Sequence, residues 1–358
     1  MAIKRFTAQA FRCLTAIELE PAPDYTLIIG ANASGKTSLL EALAYLGRGK
    51  SFRGAPPGTL IQHGEQAFVL FGQVEAGGRL VSVGARNSRA GLEVKVDGDT
   101  SGGAAALAAA LPLQVIDPDV HNLVSGGPDE RRRFLDWLVF HVEPEYLGLW
   151  RQFRRVLKQR NAALKAGGRR EALRAWDAEF CRLGERLGAV REQVLEGCLD
   201  TLRAYGNALL GADIDFRYAS GWSQSRTLPE ALEEHLERDR ALGTTQVGPH
   251  RADLRLIYDE RQARRLVSRG QQKLLASSMI LAATATAQEA LGRPLLLLLD
   301  DPAAELDRVS LGRLMEQVAA LRSQVIATSL ESGELPFATS PRVFHVEHGS
   351  LSEAPQGA

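Results

Sequence analysis

The chain has 358 residues, 45% of them hydrophobic, enough to fill one large core or two smaller ones, which argues against disorder except at the ends. Lysine plus arginine and aspartate plus glutamate both number 43, so whole-chain charge singles out neither nucleic acid nor membrane, and any such affinity has to come from local asymmetry. Three cysteines, Cys13, Cys181 and Cys198, form no CxxC pair and no even framework, which suits a reduced cytoplasmic protein rather than a secreted one or a zinc ribbon.

The first residues, MAIKRFTAQAF, lack the apolar run of a signal peptide. Residues 1 to 118 read as strand-rich. YTLIIG is a buried strand, AFVLFGQV and LVSVGARN are two more, GLEVKVDGD alternates as a half-exposed strand does, and LPLQVID (111 to 117) is closed by Pro118; one helix follows residue 36. From Gly127 to Arg240 the pattern turns helical, with breaks at AGGRR (166 to 170) and GWSQSRTLPE (221 to 230). Trp137, Trp150 and Trp176 fall in phase with Leu and Phe there and read as core. From Thr244 strands return, Arg264 to Val267 being strand-like. A helix beginning near Lys273 carries the most apolar window, 274 to 292, but its Ser, Thr, Gln and Glu suit a buried helix better than a membrane span. PLLLLLDD, a helix near 308 to 321, SQVIATS and RVFHVEHG complete the chain. The order predicts one α/β lobe, 1–118 and 244–358, interrupted by a helical insertion at 119–243.

GANASGKT fits G-x-x-x-x-G-K-[ST] at every fixed position, follows a buried strand and opens a helix. In that setting the loop Gly30, Ala31, Asn32, Ala33, Ser34 and Gly35 and the first helical residues, through Ser38, turn backbone N–H groups and the positive helix end toward a phosphate. Lys36 is placed to reach the β- and γ-phosphates of a nucleotide such as ATP, and the Thr37 hydroxyl to ligate Mg²⁺.

Such a loop requires a carboxylate on a neighbouring strand, and PLLLLLDD supplies two at the end of a fully apolar run. Asp300 is the expected magnesium partner, and Asp301 the group that polarises the attacking water. The alternative use of Asp301, just before Pro302, is as a cap for the next helix. AELD (304 to 307) adds a polar loop. SRGQQK (268 to 273) offers, in Ser268, Gly270 and Gln271, a hydroxyl, backbone donors and an amide at a helix start, a second anion site. One nucleotide does not need two complete cradles in one subunit, so this loop is expected to address nucleotide on another copy.

The order P-loop, Ser-x-Gly-Gln, apolar strand ending in DD, and x-E-L-D is similar to the ABC-type ATPase heads of the SMC and Rad50 group. With FRCLTAIELEPAP, GANASGKTSLLEALAYLGRGKSFR, IDPDVHNLVSGGPDERRRFLDW and QVGPHRADL, the chain more closely resembles the RecF family of bacterial recombination proteins. The resemblance implies an ABC-type P-loop ATPase head with a mixed sheet containing antiparallel strands. It also implies an ATP-dependent homodimer in which Ser268, Gly270 and Gln271 of one copy close on the γ-phosphate held by the other. The setting it implies is gap repair at single-strand/double-strand DNA junctions, with RecR as partner and RecO and RecA in the pathway. Arg12 in FRCL matches an arginine that contacts nucleotide in related heads. Asp117 or Asp119 of IDPD stands at the Q-loop. Thr328 or Ser329 of VIATSL stands where transporter ATPases carry a switch histidine, and Asp301 where generic ABC proteins carry glutamate. A shorter base without an imidazole sensor predicts slow hydrolysis, a switch more than a motor.

Two other classes stay open: the ATP-binding subunit of a transporter, and a small-molecule P-loop kinase. His250 of GPHR serves equally as a strand histidine or a ligand contact. Between residues 131 and 191, fifteen Arg or Lys face seven acids. That local excess suits sequence-independent phosphate contacts with DNA, with Arg131, Arg132, Arg133, Arg154, Arg155 and Lys158 as candidates.

Overall fold

The computed structural model describes residues 2–167, 170–258, 260–263, 266–304 and 306–354. Arg264 and Arg265, expected as strand, and Gly168, Arg169 and Glu305 of the two polar loops lie outside the described residues. The chain forms two compact units, residues 1–120 with 291–358, and residues 121–290.

In the first unit, β1 (Ala2–Phe11), β2 (Leu14–Leu19) and β3 (Tyr25–Ile29) lead into helix α1 (Lys36–Arg48). Then come β4 (Ala67–Ala76), β5 (Arg79–Ser88), β6 (Gly91–Val96), α2 (Gly103–Ala110) and β7 (Leu113–Ile116). Helix α2 falls where only strands were expected: GAAALAAA has no alternation, and alanine is the strongest helix former.

The second unit carries α3 (Asn122–Ser125), α4 (Pro128–Val142), α5 (Tyr146–Lys165) and the 41-residue α6 (Arg170–Leu210). Strand β8 (Asp215–Ala219), α7 (Leu228–Glu234), α8 (Leu236–Leu242), β9 (Asp253–Tyr258), β10 (Arg261–Gln262) and α9 (Arg269–Leu291) follow. Strand β8 interrupts the expected helical stretch; Phe216 and Tyr218 are buried while Arg217 between them is exposed, the period of a strand. Residues 244 to 290 belong to this unit, not to the ATPase lobe as the sequence suggested. The reason is pairing: β9 adds antiparallel to β8, and Asp253 holds Arg131 of α4 at 2.7 Å. Leu266 and Val267 form a turn rather than a strand. Helix α9 is long and apolar enough to cross a membrane, yet every residue from Lys273 to Thr284 is buried, as expected of a core helix.

The chain then returns to the first unit as β11 (Leu296–Leu299), α10 (Arg308–Ala320), β12 (Gln324–Ser329), β13 (Arg342–Glu347) and β14 (Ser350–Glu353). A six-stranded sheet runs β14-β13-β3-β12-β11-β7, parallel except for β14, and a five-stranded antiparallel sheet runs β2-β1-β4-β5-β6. Helix α1 packs against β1 and β4 of one sheet and β7 and β12 of the other, which is why Leu39 through Gly47 are all buried. Phe11, Tyr45 and Phe68 meet edge to face at its centre, Tyr45 and Phe68 with ring centroids 5.0 Å apart. The register aligns Leu299 with Ile116 and Ala327, and Ser329 with Ile29. Gly30, Asp117, Asp300 and Thr328 therefore gather at one carboxyl edge, where ligands bind in parallel sheets.

Candidate nucleotide and catalytic site

The loop after β3 is built for close approach. A Cβ at Gly30 would lie 2.4 Å from the Val346 carbonyl oxygen and 2.8 Å from Ser34 Oγ, and Ala33 and Gly35 take left-handed backbone, with φ of 64° and 118°. Lys36 Nζ donates to the carbonyls of Gly30 (2.5 Å) and Ala31 (3.1 Å), folding the ammonium over the loop. Gly349, in the β13–β14 turn, donates its N–H to Ser34 O at 3.0 Å and braces the loop from outside.

Three side chains from three elements meet on one carboxylate oxygen. Asp300 Oδ1 accepts from the Thr37 hydroxyl of α1 (3.1 Å) and from the Thr328 hydroxyl of β12 (2.9 Å). Burial pushes the Asp300 carboxyl up from its ordinary range, and the two hydroxyl donors oppose that. Asp301 follows with φ of 48°, a conformation costing a non-glycine residue about 1–3 kcal/mol, and its N–H donates to Thr328 Oγ1 at 2.9 Å. Helix α10 is capped by Asp307, which accepts from Val309 N and Ser310 N, while Asp301 precedes a short 3-10 turn, Pro302–Ala304, in which Ala304 N–H donates to the Asp301 carbonyl at 3.2 Å. Ser329 donates to the Glu334 carboxylate.

Asp117 lies at the end of β7, and burial, with Asp119 and Asp300 nearby, pushes its carboxyl up to about 6. Arg48, drawn down to about 10 by burial, opposes this weakly and donates to Gln114 at 2.9 Å. Arg12 forms a bidentate clamp on the fully buried Glu41 of α1, so its fork is occupied within the protein. Its neighbour Cys13 lies 3.5 Å from Ser38 Oγ, which sets the β1–β2 turn beside the P-loop helix. Sequence reasoning missed Glu41 and Arg53. Ser51 donates to Glu41 and accepts the Arg53 N–H (3.0 Å), ordering a loop whose Arg53 charge lowers the Asp300 pKa. The segment GKSFR was visible, but nothing local marks its target.

In the second unit, Ser268 and Gln271 form a reciprocal cap: Ser268 N–H donates to Gln271 Oε1 (2.8 Å) and Gln271 N–H to Ser268 Oγ (3.3 Å). Residues 268 to 271 are exposed. Gly270 meets nothing within 4 Å of a built Cβ, so the unit itself does not require glycine there. His250 is half-buried, bonded through Nε2 to Thr245 O at 2.9 Å and held down to about 4 by desolvation of its ring, a structural use of the side chain.

The DNA candidates divide. Arg131 is buried, paired with Asp253 and bonded to Gly126 O at 2.8 Å; Arg132 is bonded to Ala252 O and Asp129. These two hold the fold together and are withdrawn as surface contacts. Arg133 is exposed but paired with Glu130 at 2.8 Å. Helix α5 contains no acid, and Arg151, Arg154, Arg155, Lys158 and Lys165 are exposed on it without an ion pair among the described residues. Trp137, Trp150 and Trp176 are half-buried rather than core; Trp137 stacks on His141, and Trp150 lies 4.9 Å beneath the Arg154 guanidinium.

The P-loop, the Asp-ended strand and the mixed sheet define an ABC-type ATPase head. The family described as the RecF/RecN/SMC N-terminal domain matches residues 2–351. A protein of Marinobacter nauticus named DNA replication and repair protein RecF is 38% identical over 99% of this chain and 100% of its own length; one of the same name from Chromohalobacter salexigens is 41% identical over 98% and 99%. The chain is similar, with TM-score 0.87 and 25% identity over 98% of both chains, to a structure described as the recombination mediator protein RecF with ATPγS in the RecFOR pathway. An SMC head bound to the C-terminal winged-helix domain of ScpA shares the fold, with TM-score 0.59 and 14% identity. The chain belongs to the RecF family. The transporter and small-molecule kinase readings are thereby set aside.

Proposed function

We propose that this chain is a slow ATPase of cytoplasmic recombinational DNA repair, whose ATP-bound form pairs with a second copy and closes on gapped or junction DNA. The observation that carries the ATPase part is the joining of Thr37, Asp300 and Thr328 on one oxygen beside the P-loop. Gly30 to Ser38 would cradle the phosphates, with Lys36 exchanging its loop carbonyls for phosphate oxygens. The fit to a magnesium ion is good: hydroxyl and carboxylate oxygens stand 3.1 Å apart, and adjacent ligands of that ion stand about 3 Å apart. Among the described residues no cluster of three or more His, Cys, Asp or Glu side chains could hold a metal, so the rest of the shell falls to water and phosphate. Bound there, the cation would neutralise charge on the β- and γ-phosphates. Asp301 would accept the proton of the attacking water.

The exposed cap at Ser268 to Gln271 supports contact with another copy. Ser268 Oγ uses a lone pair on Gln271, which leaves its proton for a phosphate oxygen, and Gly270 would let that phosphate approach the helix end. The exposed bases of α5, without an ion pair among the described residues, support DNA backbone contact by Arg154, Arg155 and Lys158, with Arg151 and Lys165 added. By family, RecR is the expected partner, with RecO and RecA in the pathway. Phosphate release by wild type and Lys36→Met, with and without gapped duplex at several salt concentrations, tests the reading. DNA-stimulated, salt-sensitive turnover lost in Lys36→Met is expected; turnover indifferent to both DNA and the substitution would refute it.

A further inference from the structure

We infer that Thr328 is not the γ-phosphate sensor its position suggested but a positioning residue, a coupler that holds Asp300 and Asp301 in one arrangement. A threonine hydroxyl has one proton and two lone pairs. The Thr328 proton goes to Asp300 Oδ1 at 2.9 Å, and a lone pair takes the Asp301 N–H at 2.9 Å. No donor remains for a phosphate. The neighbouring hydroxyl is committed too, since Ser329 donates to Glu334, which also accepts the Leu330 N–H at 3.2 Å.

The surroundings make the coupling rigid. Thr328 is fully buried, with β3 hydrogen-bonded on one side of its strand and β11 on the other, and a β-branched side chain in a strand has few rotamers. Its hydroxyl supplies the hydrogen-bond partner for the Asp301 amide, where the backbone is held at φ 48°. That turn sets where the Asp301 carboxylate points. Thr328 therefore acts on the water-activating group through the backbone, without touching nucleotide.

This rests on the ATPase reading, and the test separates the two. Thr328→Val keeps the shape and removes both bonds; Thr328→Ser keeps the hydroxyl. Three readouts are needed: amide hydrogen exchange at Asp301, the ratio of ATP to ADP affinity, and turnover. In Thr328→Val, exchange at Asp301 should accelerate, the ATP to ADP affinity ratio should stay within about twofold, and kcat should fall about a hundredfold with little change in KM. Thr328→Ser should restore exchange and most of the turnover. Loss of the preference for ATP over ADP in Thr328→Val would make Thr328 a sensor and overturn the assignment, as would unchanged exchange at Asp301. A wild-type chain that released no phosphate would defeat the ATPase reading instead, while the exchange and affinity measurements would still decide the role of Thr328.

Discussion

The Thr37 hydroxyl lies 3.1 Å from Asp300 Oδ1, so residues 263 positions apart share one bond at the carboxyl edge of the parallel sheet. Asp300→Asn keeps an oxygen acceptor for Thr37 and Thr328 while removing the charge. The fold should survive, nucleotide should still bind, and turnover should fall about 10²–10³-fold, measured as phosphate release at saturating ATP.

Arg131 and Arg155 look alike in sequence but should fail differently. Removing Arg131 leaves Asp253 and the carbonyls at the end of α3 without their partner, so Arg131→Ala should destabilise the protein by about 3–5 kcal/mol in urea unfolding. Arg155→Ala should leave stability nearly unchanged. It should weaken DNA binding about equally across sequences and reduce the slope of log affinity against log salt by about one.

Asp117 gives a pH signature. Folding raises its pKa from 3.8 to about 6, so the native state holds the proton more tightly than the unfolded chain. Its contribution to stability therefore falls as pH rises from about 4 to about 6, and above that the penalty is constant. In nucleotide-free protein, Asp117→Asn should raise the unfolding free energy at pH 8, by on the order of 1–3 kcal/mol, and make little difference near pH 4.

Gly270 separates folding from assembly. Since a side chain there meets open space, Gly270→Arg should leave the thermal midpoint and the ATP affinity of one subunit unchanged, yet block pairing of two copies. Calorimetry and nucleotide titration at low protein concentration check the first half, and light scattering with ATP the second.

Much of this site was legible because its chemistry uses short, local requirements. A phosphate loop has to pair close backbone approach with a helix start, and GANASGKT shows both. A buried central strand ending in carboxylates, LLLLLDD, is equally plain. What stayed hidden depends on partners far along the chain. Nothing near Arg131 announces Asp253, 122 positions later, so a buried tether looked like part of a basic surface. Glu41 reads as an ordinary helix acid until Arg12 and Ser51 are seen to enclose it. SRGQ was legible as a helix start with exposed donors, but its Ser and Gln also cap one another, a use the spacing S-x-x-Q already encodes. The boundary near residue 244 was misplaced because β8, five residues long, hides among helices, and its pairing with β9 decides which unit the following segment joins.

Sedimentation velocity on wild type, Lys36→Met and Ser268→Arg, each with and without ATP and magnesium, tests the paired active site most directly. Wild type should sediment as a dimer only with ATP, Lys36→Met as a monomer throughout, and Ser268→Arg as a monomer that still binds ATP. A wild type that remains monomeric with ATP, or a Ser268→Arg chain that pairs as wild type does, would contradict it.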